Sequence, residues 1–305
     1  MKLIASLVFS LFISGSFCSA EARVIIAIRS RDIAPYNMAL QGFTDYLKTR
    51  QIDVRIRQCV LQGKTQEDLL NIREEIESIR PTLVLALGSP AAKVAQEAAD
   101  HIRVISTMVL DPKASNTAPP GVSMDIPLEI KLRHLTKVLP GAKRIAVVYS
   151  KNSTSAREEL SLANGRLGFQ VIGKKIDSGK ALSSAFEDLC WQADCFLMIP
   201  DSNIYFPKSI EYLLTEALRK KIPVIGLSSS YTKAGALISF DCDYEALGEQ
   251  AAEMAVKTLH GDDPGSTEFV KPKKISFSLN LLAAERLGIK LSSEVIKEAR
   301  EVFGK

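Results

Sequence analysis

Short apolar runs alternate with amphipathic helical patterns from residue 23 onward, and near residue 122 the alternation begins again. Arg23–Ile28 (RVIIAI), Ile52–Leu61, Thr82–Leu87 and Ile102–Met108 have strand character. Between them lie helical patterns at Asn37–Arg50, Gln66–Arg80 and Pro90–Ala99. In the second of these, Leu69, Ile72, Ile76 and Ile79 share one face. A β-α-β-α-β-α-β order predicts a parallel sheet with helices on both faces.

A Pro/Asn/Ser-rich connection, Asp111–Gly121, separates the two rounds. The second round places helices at Pro127–Leu139, Ser155–Leu167, Ala181–Trp191 and Pro207–Lys221. Its strands fall at Lys143–Tyr149, Phe169–Ile176, Asp194–Ile199, Pro223–Leu227 and Gly235–Phe240. The expected fold class is therefore α/β, with two doubly wound parallel-sheet lobes. A tail follows: a helix at Tyr244–His260, a strand at Ile275–Leu279, then helices at Leu281–Leu287 and Ser292–Phe303. Sharing that tail between the lobes requires the chain to cross between them more than once, which makes a multi-strand hinge.

The chain has 305 residues, enough for two cores, and is 46% hydrophobic and 24% charged with a net charge of +4. Acidic and basic residues interleave without a basic run, so no nucleic-acid partner is expected. Lys2 followed by the apolar stretch Leu3–Phe17 resembles a secretory signal. Small residues at Cys18-Ser19-Ala20 and Ala20-Glu21-Ala22 suit a peptidase, so residues 1–22 are expected to be removed on export to the periplasm or another extracytoplasmic compartment. Phe17 suits a lipoprotein cut before Cys18 less well, and no later apolar stretch reaches the ~20 residues of a membrane span. Cys190 and Cys195, the only close cysteine pair, fit buried thiols better than a disulfide or a metal site. Trp191, the only tryptophan, falls at a helix end and is expected in the core.

Ligands of open parallel sheets bind outside the carboxyl ends of the strands. In the first lobe those ends carry Ser30 and Tyr36, then Gly88, Ser89, Pro90 and Ala91, then Thr107 and Asp111. In the second they carry Asn152, Asp201, Asn203, Ser228, Ser229 and Asp241. These fourteen are the candidate ligand-binding residues. At Gly88-Ser89-Pro90-Ala91, Gly88 permits close backbone approach, Ser89 suits an N-cap, and Pro90 suits the first helical position. Free N–H groups of that first turn would accept a carboxylate. A ligand ammonium would meet Asp241 or Asp201, with Tyr36 over the side chain.

No catalytic set accompanies these groups, so no enzyme activity is expected. Gly63-Lys64-Thr65 lacks the first glycine of a phosphate loop, because Gln58 stands there, and neither GxGxxG nor GxSxG occurs. His101, His134 and His260 are scattered, and no cofactor or metal site is expected. Asp201, Asp241 and Asp243 suit ligand binding better than acid/base work. Asn152-Ser153-Thr154 fits a glycosylation acceptor but reads as a plain loop.

An ordered series then emerges: GSPAA at 88–92, DP at 111–112, LPGAKRIAVVYS at 139–150, ADCFLMIPDSN at 193–203, KIPVIGLSSSYTKAGALISFDCDYEALGEQAAEMA at 221–255 and ISFSLNLLAAERLGI at 275–289. This series resembles the ABC-transporter solute-binding proteins related to tryptophan/tyrosine-type binders. The resemblance implies the periplasmic-binding-protein type I fold, with three hinge crossovers and lobes at 23–122 plus 243–271 and 123–242 plus 272–305. It also implies a small-molecule solute, a membrane ABC permease as partner and a monomeric receptor. By position it maps Ser89-Pro90-Ala91 to the ligand-facing helix start and Asp201-Ser202-Asn203 and Asp241 to polar cleft positions. The loop Arg29-Ser30-Arg31-Asp32 is more charged than that pattern and points toward a more acidic solute. The alternative within this fold is a periplasmic sensor that presents its ligand to a membrane receptor or sensor kinase.

Overall fold

The computed structural model describes residues 23–304 apart from 111, 113–115, 117–119, 152, 154–159, 162–167, 202 and 263–268. Strands β1 (Arg23–Arg29), β2 (Val54–Val60), β3 (Leu83–Leu87), β4 (Arg103–Val109), β5 (Gly121–Ser123) and β11 (Phe269–Val270) make one sheet in the order β11-β5-β4-β3-β1-β2. All its pairings are parallel. β6 (Arg144–Tyr149), β7 (Gln170–Lys175), β8 (Cys195–Leu197), β9 (Val224–Gly226), β10 (Ile238–Cys242), β12 (Ile275–Asn280) and β13 (Glu301–Phe303) make the second, in the order β13-β12-β10-β9-β8-β6-β7. β12 runs antiparallel to β10, an exception in an otherwise parallel sheet. The cores of the two sheets repeat one order: β2-β1-β3-β4-β5 corresponds to β7-β6-β8-β9-β10.

Burial explains why these strands were legible. Every residue of β3, LVLAL, is fully buried, because helices cover both faces of a parallel sheet and leave no polar alternation to see. On one face, α2 (Thr65–Ile79) and α3 (Ser89–Ala98) contribute Ile72, Ile76, Val94 and Ala95 to a core with Ile26 and Val84. On the other, α1 (Ala34–Thr49) lies along α8 (Tyr244–Leu259), which also crosses β4 and β5. That helix pair is tight. A Cβ on Gly248 would fall 1.8 Å from the Ala39 carbonyl oxygen, and one on Gly42 would fall 2.1 Å from that of Glu245. Only glycine lets the backbones meet so closely.

The chain passes between the sheets three times: after β5, after β10 and after β11. The first passage leads into α4 (Leu128–Val138), whose Leu128, Leu132, Leu135 and Val138 are buried. Its His134 ring packs against Phe240 and Phe277 of the second sheet, with centroids 5.6 and 5.0 Å apart. The largest core runs without interruption from β1 and α1 through α4 to β6 and β10. The outer face of the second sheet is covered by α5 (Leu182–Cys190) and α6 (Pro207–Arg219).

Several expectations need correction. The helix expected over Ser292–Phe303 is α10 (Ser293–Glu298), after which the chain straightens into β13. Ala299 is extended (φ −69°, ψ 132°), and the Arg300 N–H donates to the Phe277 carbonyl at 2.9 Å, satisfying the open edge of β12. The strand expected at Gly235–Phe240 is displaced to Ile238–Cys242, and a short helix, α7 (Ser229–Ala234), stands where only a serine loop was expected. α9 (Leu281–Leu287) lies as expected. Most of the helix expected over Ser155–Leu167 falls outside the described residues. Trp191 is not in the core. It is 80% exposed, with the Lys220 ammonium 5.2 Å from its ring centroid. The described cysteines are all free thiols. Cys190, Cys195 and Cys242 are buried and Cys59 is half-buried.

Candidate functional site

Each lobe reverses its strand order between two strands, and that point is where an open sheet offers a crevice. In the first lobe the reversal lies between β1 and β3, and the loops that follow them meet. The Ser30 hydroxyl donates to the Leu87 carbonyl at 2.8 Å and accepts the Ala91 N–H at 3.0 Å. Ser30 therefore caps α3 from another strand end. The local cap role expected for Ser89 is not filled: Gly88 occupies the N-cap position, at φ 93° and ψ 158°, and Ser89 is the first helical residue. The close approach at Gly88 is real, since a Cβ there would sit 2.6 Å from both Ser30 Oγ and the Tyr36 hydroxyl oxygen. The expected set of free first-turn donors shrinks accordingly. Pro90 has no N–H, the Ala91 N–H is taken by Ser30, and the Ala92 N–H bonds to the Gly88 carbonyl at 2.9 Å.

The second lobe closes its own reversal point, between β6 and β8, in the same manner. The buried Asp201 carboxylate accepts the Ser150 N–H (3.2 Å), the Ser150 hydroxyl (2.7 Å), the Ser153 hydroxyl and the Asn203 N–H (3.0 Å). Both oxygens thus accept protein donors, which ties the segments after β6 and β8 together. Asn203 supplies its backbone to the same turn, and its carbonyl accepts the Gly179 N–H at 2.8 Å. Thr107 is fully buried with its hydroxyl 3.5 Å from the Leu247 carbonyl, inside the contact with α8. Asp111 and Asn152 lie outside the described residues.

A cavity of about 300 Å³ opens beside the hinge. One wall is built from the ends of β8, β9 and β10, with Leu197, Ile199, Leu227 and Phe240. The opposite wall comes from the crossing segments and α4, with Met124, Ile126 and Leu128, and Leu110 reaches in from the end of β4. Four charged residues interrupt this apolar lining: Asp125, Lys131, Asp241 and Lys271. Of the fourteen candidates, Ser228 and Asp241 line this cavity. Sequence reasoning missed Tyr231, Tyr244 and Lys131, which sit on helix starts and crossings instead of strand tips. The only signal for them was their proximity in sequence to Ser228, Asp241 and the first hinge passage.

Asp241 is the polar centre of the cavity. One carboxylate oxygen accepts the Ser229 N–H at 2.7 Å. Burial raises its proton affinity above the ordinary aspartate value, against that hydrogen bond. Burial, with the nearby Asp241 charge, pushes the Tyr244 hydroxyl up to about 12, so it stays a neutral donor near neutral pH. A smaller polar recess of about 120 Å³, lined by Ser276, Ser278, Arg300 and Glu301, adjoins Asp241 and Tyr244 on the side of β13. Asp243, weighed above as a functional carboxylate, is a helix cap: it accepts the Ala246 N–H at 3.1 Å at the start of α8. In the Arg29–Asp32 loop, Arg29 lies 2.8 Å from Asp32 and also donates to Asn37, while Arg31 and Asp32 are exposed.

The described residues hold no cluster of three or more His, Cys, Asp or Glu suited to a metal ion. Among the described residues, no helix is long and apolar enough to cross a membrane.

Comparison with known proteins agrees with the architecture. A tyrosine-binding protein from Clostridioides difficile is 25% identical over 240 residues, covering 74% of this chain and 69% of that protein. The ligand-free, open structure of a substrate-binding protein with adhesive properties from Clostridium difficile matches 93% of this chain and all of its own, with a TM-score of 0.77 at 22% identity. A domain from Streptococcus pneumoniae in complex with L-Trp matches over the same share of each chain, with a TM-score of 0.66 at 21% identity. The family model described as ABC transporter substrate binding protein matches residues 30–303, nearly the whole described chain. With two lobes, three crossings and a cavity at the hinge, the protein belongs to the ABC transporter substrate-binding protein family.

Proposed function

We propose that this protein is the extracytoplasmic receptor of an ABC importer, capturing a small polar solute, an amino acid or a related compound, between its lobes. The observation that carries this reading is the cavity of about 300 Å³, whose walls come from second-lobe strand ends and from the passages that join the lobes. That volume is at the small end of ligand sites, which suits a single metabolite. Its lining is apolar with few charged groups, which suits an apolar body bearing an ammonium and a carboxylate. The tyrosine-binding relative and the L-Trp complex support an amino acid as the class to test first.

The mechanism follows from where the walls are attached. Lobes 23–122 plus 243–271 and 123–242 plus 272–305 rotate about the three passages. A solute touching Asp241 on the second lobe and Leu110 and Lys271 on the first binds the closed arrangement more tightly than the open one. It shifts the population by that difference in affinity and no more. The closed form is what a membrane permease would receive. Residues 1–22 serve as the export signal on this reading and are absent from the mature receptor.

A thermal-shift screen of the mature protein against amino acids, nucleosides and sugars tests the proposal. A ligand at roughly 100–1,000 times its Kd adds about 2.7–4.1 kcal/mol and raises the melting temperature by a few degrees. A panel in which amino acids produce no shift while a sugar or nucleoside does would remove the assigned solute class. A panel with no shift at all would remove the receptor reading.

A further inference from the structure

We propose that Gln250, in α8, is the clamp that decides where the hinge bends. Its side-chain amide fastens residues 271–273 of the third passage to the first lobe, so the bend falls at Cys242–Asp243 and Lys274–Ile275. This inference rests on the lobe-closure reading above and adds its pivot. Four observations lead to it.

First, α8 is locked to the first lobe. Its backbone meets that of α1 at Gly248 and Gly42, where any Cβ would strike a carbonyl oxygen, and its Leu247, Ala251 and Ala255 are fully buried. Second, Gln250 hands that rigidity to the third passage. Gln250 is 5% exposed. Its Nε2 donates to the Lys271 carbonyl at 3.2 Å, and its Oε1 accepts the Lys273 N–H at 2.8 Å. A side-chain amide carries the donor and acceptor of a peptide group, so here it stands in for a neighbouring strand. Between the two bonds lies the buried Pro272, whose ring fixes φ and which has no N–H to leave unpaired. Two solvent-facing ion pairs flank the amide, Lys273 with Glu253 at 2.6 Å and Lys274 with Glu249 at 3.6 Å. Such exposed pairs are worth little each, so the buried amide sets the attachment.

Third, the passages are laced together on the first-lobe side of that bend. The Lys274 carbonyl accepts the Asp243 N–H at 3.2 Å, and Asp243 caps α8. Asp125 of the first passage lies 3.6 Å from Lys271, and the Met124 N–H donates to the Val109 carbonyl of β4 at 2.8 Å. One residue farther along the later passages, Cys242 and Ile275 are already partners in the second sheet. The change from one lobe's bonding to the other's is thus a single peptide step in each. Fourth, that step adjoins the cavity. Asp241 lies just on its second-lobe side, and Tyr244 and Lys271 lie on its first-lobe side. A bend there turns the two walls about a line beside them, so a small rotation changes the gap a solute must fill. Without the clamp, residues 271–274 would add loose backbone to the hinge, and the lobes would sample a wider range of separations.

The test measures the range of lobe separations. Spin labels on Glu74→Cys in α2 and Glu211→Cys in α6, both exposed sites, report it by double electron–electron resonance. The half-buried Cys59 is changed to serine in every protein so that it takes no label. Gln250→Met keeps the length of the side chain and loses both hydrogen bonds. It is expected to broaden the distribution and to speed exchange of the Lys273 amide hydrogen by roughly 3–10-fold, the worth of one hydrogen bond. Glu253→Gln, which breaks only the exposed ion pair, should leave both as they are. If Gln250→Met gives a distribution as narrow as that of the unaltered protein, the clamp is overturned, because Gln250 then only packs. Unchanged exchange at Lys273 overturns it too. The unaltered protein is also measured with each amino acid, nucleoside or sugar that raises its melting temperature. If one of them shifts the distribution, lobe closure stands whatever the variants show. If all of them stabilise without a shift, closure falls and the clamp falls with it. Gln250→Glu, which keeps an acceptor for Lys273 but has no N–H for Lys271, carries the test if Gln250→Met does not fold, and is expected to broaden the distribution less.

Discussion

Replacing Gly88 by alanine probes the junction where the first lobe seals its own crevice. At φ 93° and ψ 158° the backbone lies in a region open essentially to glycine alone, and holding another residue there costs about 1–3 kcal/mol. The new methyl would also fall 2.6 Å from Ser30 Oγ and from the Tyr36 hydroxyl oxygen. Tyr36 is half-buried and can swing, but Ser30 is held by two hydrogen bonds and is 6% exposed. Displacing it forfeits both, at about 1 kcal/mol each. Gly88→Ala should therefore destabilise the protein by about 3–5 kcal/mol, a large share of the 5–15 kcal/mol typical of a native protein. Ser30→Ala alone should cost about 1–2 kcal/mol, the usual loss of a helix cap. In the Ser30→Ala background the added cost of Gly88→Ala should drop by about 1–2 kcal/mol, because the bonds it would break are already gone. Urea denaturation followed by far-ultraviolet circular dichroism measures all four proteins. A Gly88→Ala loss below about 1 kcal/mol, or strict additivity with Ser30→Ala, would refute the account of this junction.

Three further outcomes are expected. Asp201→Ala should destabilise the second lobe by about 2–4 kcal/mol, since it strands the Ser150, Ser153 and Asn203 donors. Its effect should appear in denaturation midpoints and not in ligand affinity measured where the protein remains folded. Asp194 is held at about 2, below the ordinary 3.8, first by the Arg144 side chain and then by the Lys143 and Arg144 N–H groups. A depressed carboxylate stabilises above its unfolded pKa and loses that contribution as pH falls toward the folded value. Asp194→Asn should thus be less stable than the unaltered protein at pH 7, and the gap should close between pH 4 and about 2 in parallel melting curves. Trp191, 80% exposed, should emit like a water-exposed indole and be quenched by acrylamide nearly as readily as the free amino acid. A blue-shifted, protected emission would contradict its placement.

The order of helices and strands was legible because each element buries a continuous face and so carries its own period. The five buried residues of β3 and the Leu69–Ile79 face of α2 need no distant partner to be read. Elements defined by what they complete were not legible. β5, β11 and β13 are two or three residues long and exist because a neighbouring edge offers unpaired backbone groups. Trp191 carried no local sign that its helix end faces water.

The polar strand tips were found from sequence, but their division of labour was not. Which tips face a ligand and which bond to each other depends on distances between segments far apart along the chain. Ser30 reaches Ala91 across 61 positions, and Asp201 reaches Ser150 across 51. Sequence alone determined two doubly wound α/β lobes, since hydrophobic period is a property of each segment by itself. Tertiary structure decided that both sheet-reversal points close on themselves and that the cavity lies at the hinge. A hydrogen bond needs two groups within about 3 Å, and only the folded backbone sets that separation.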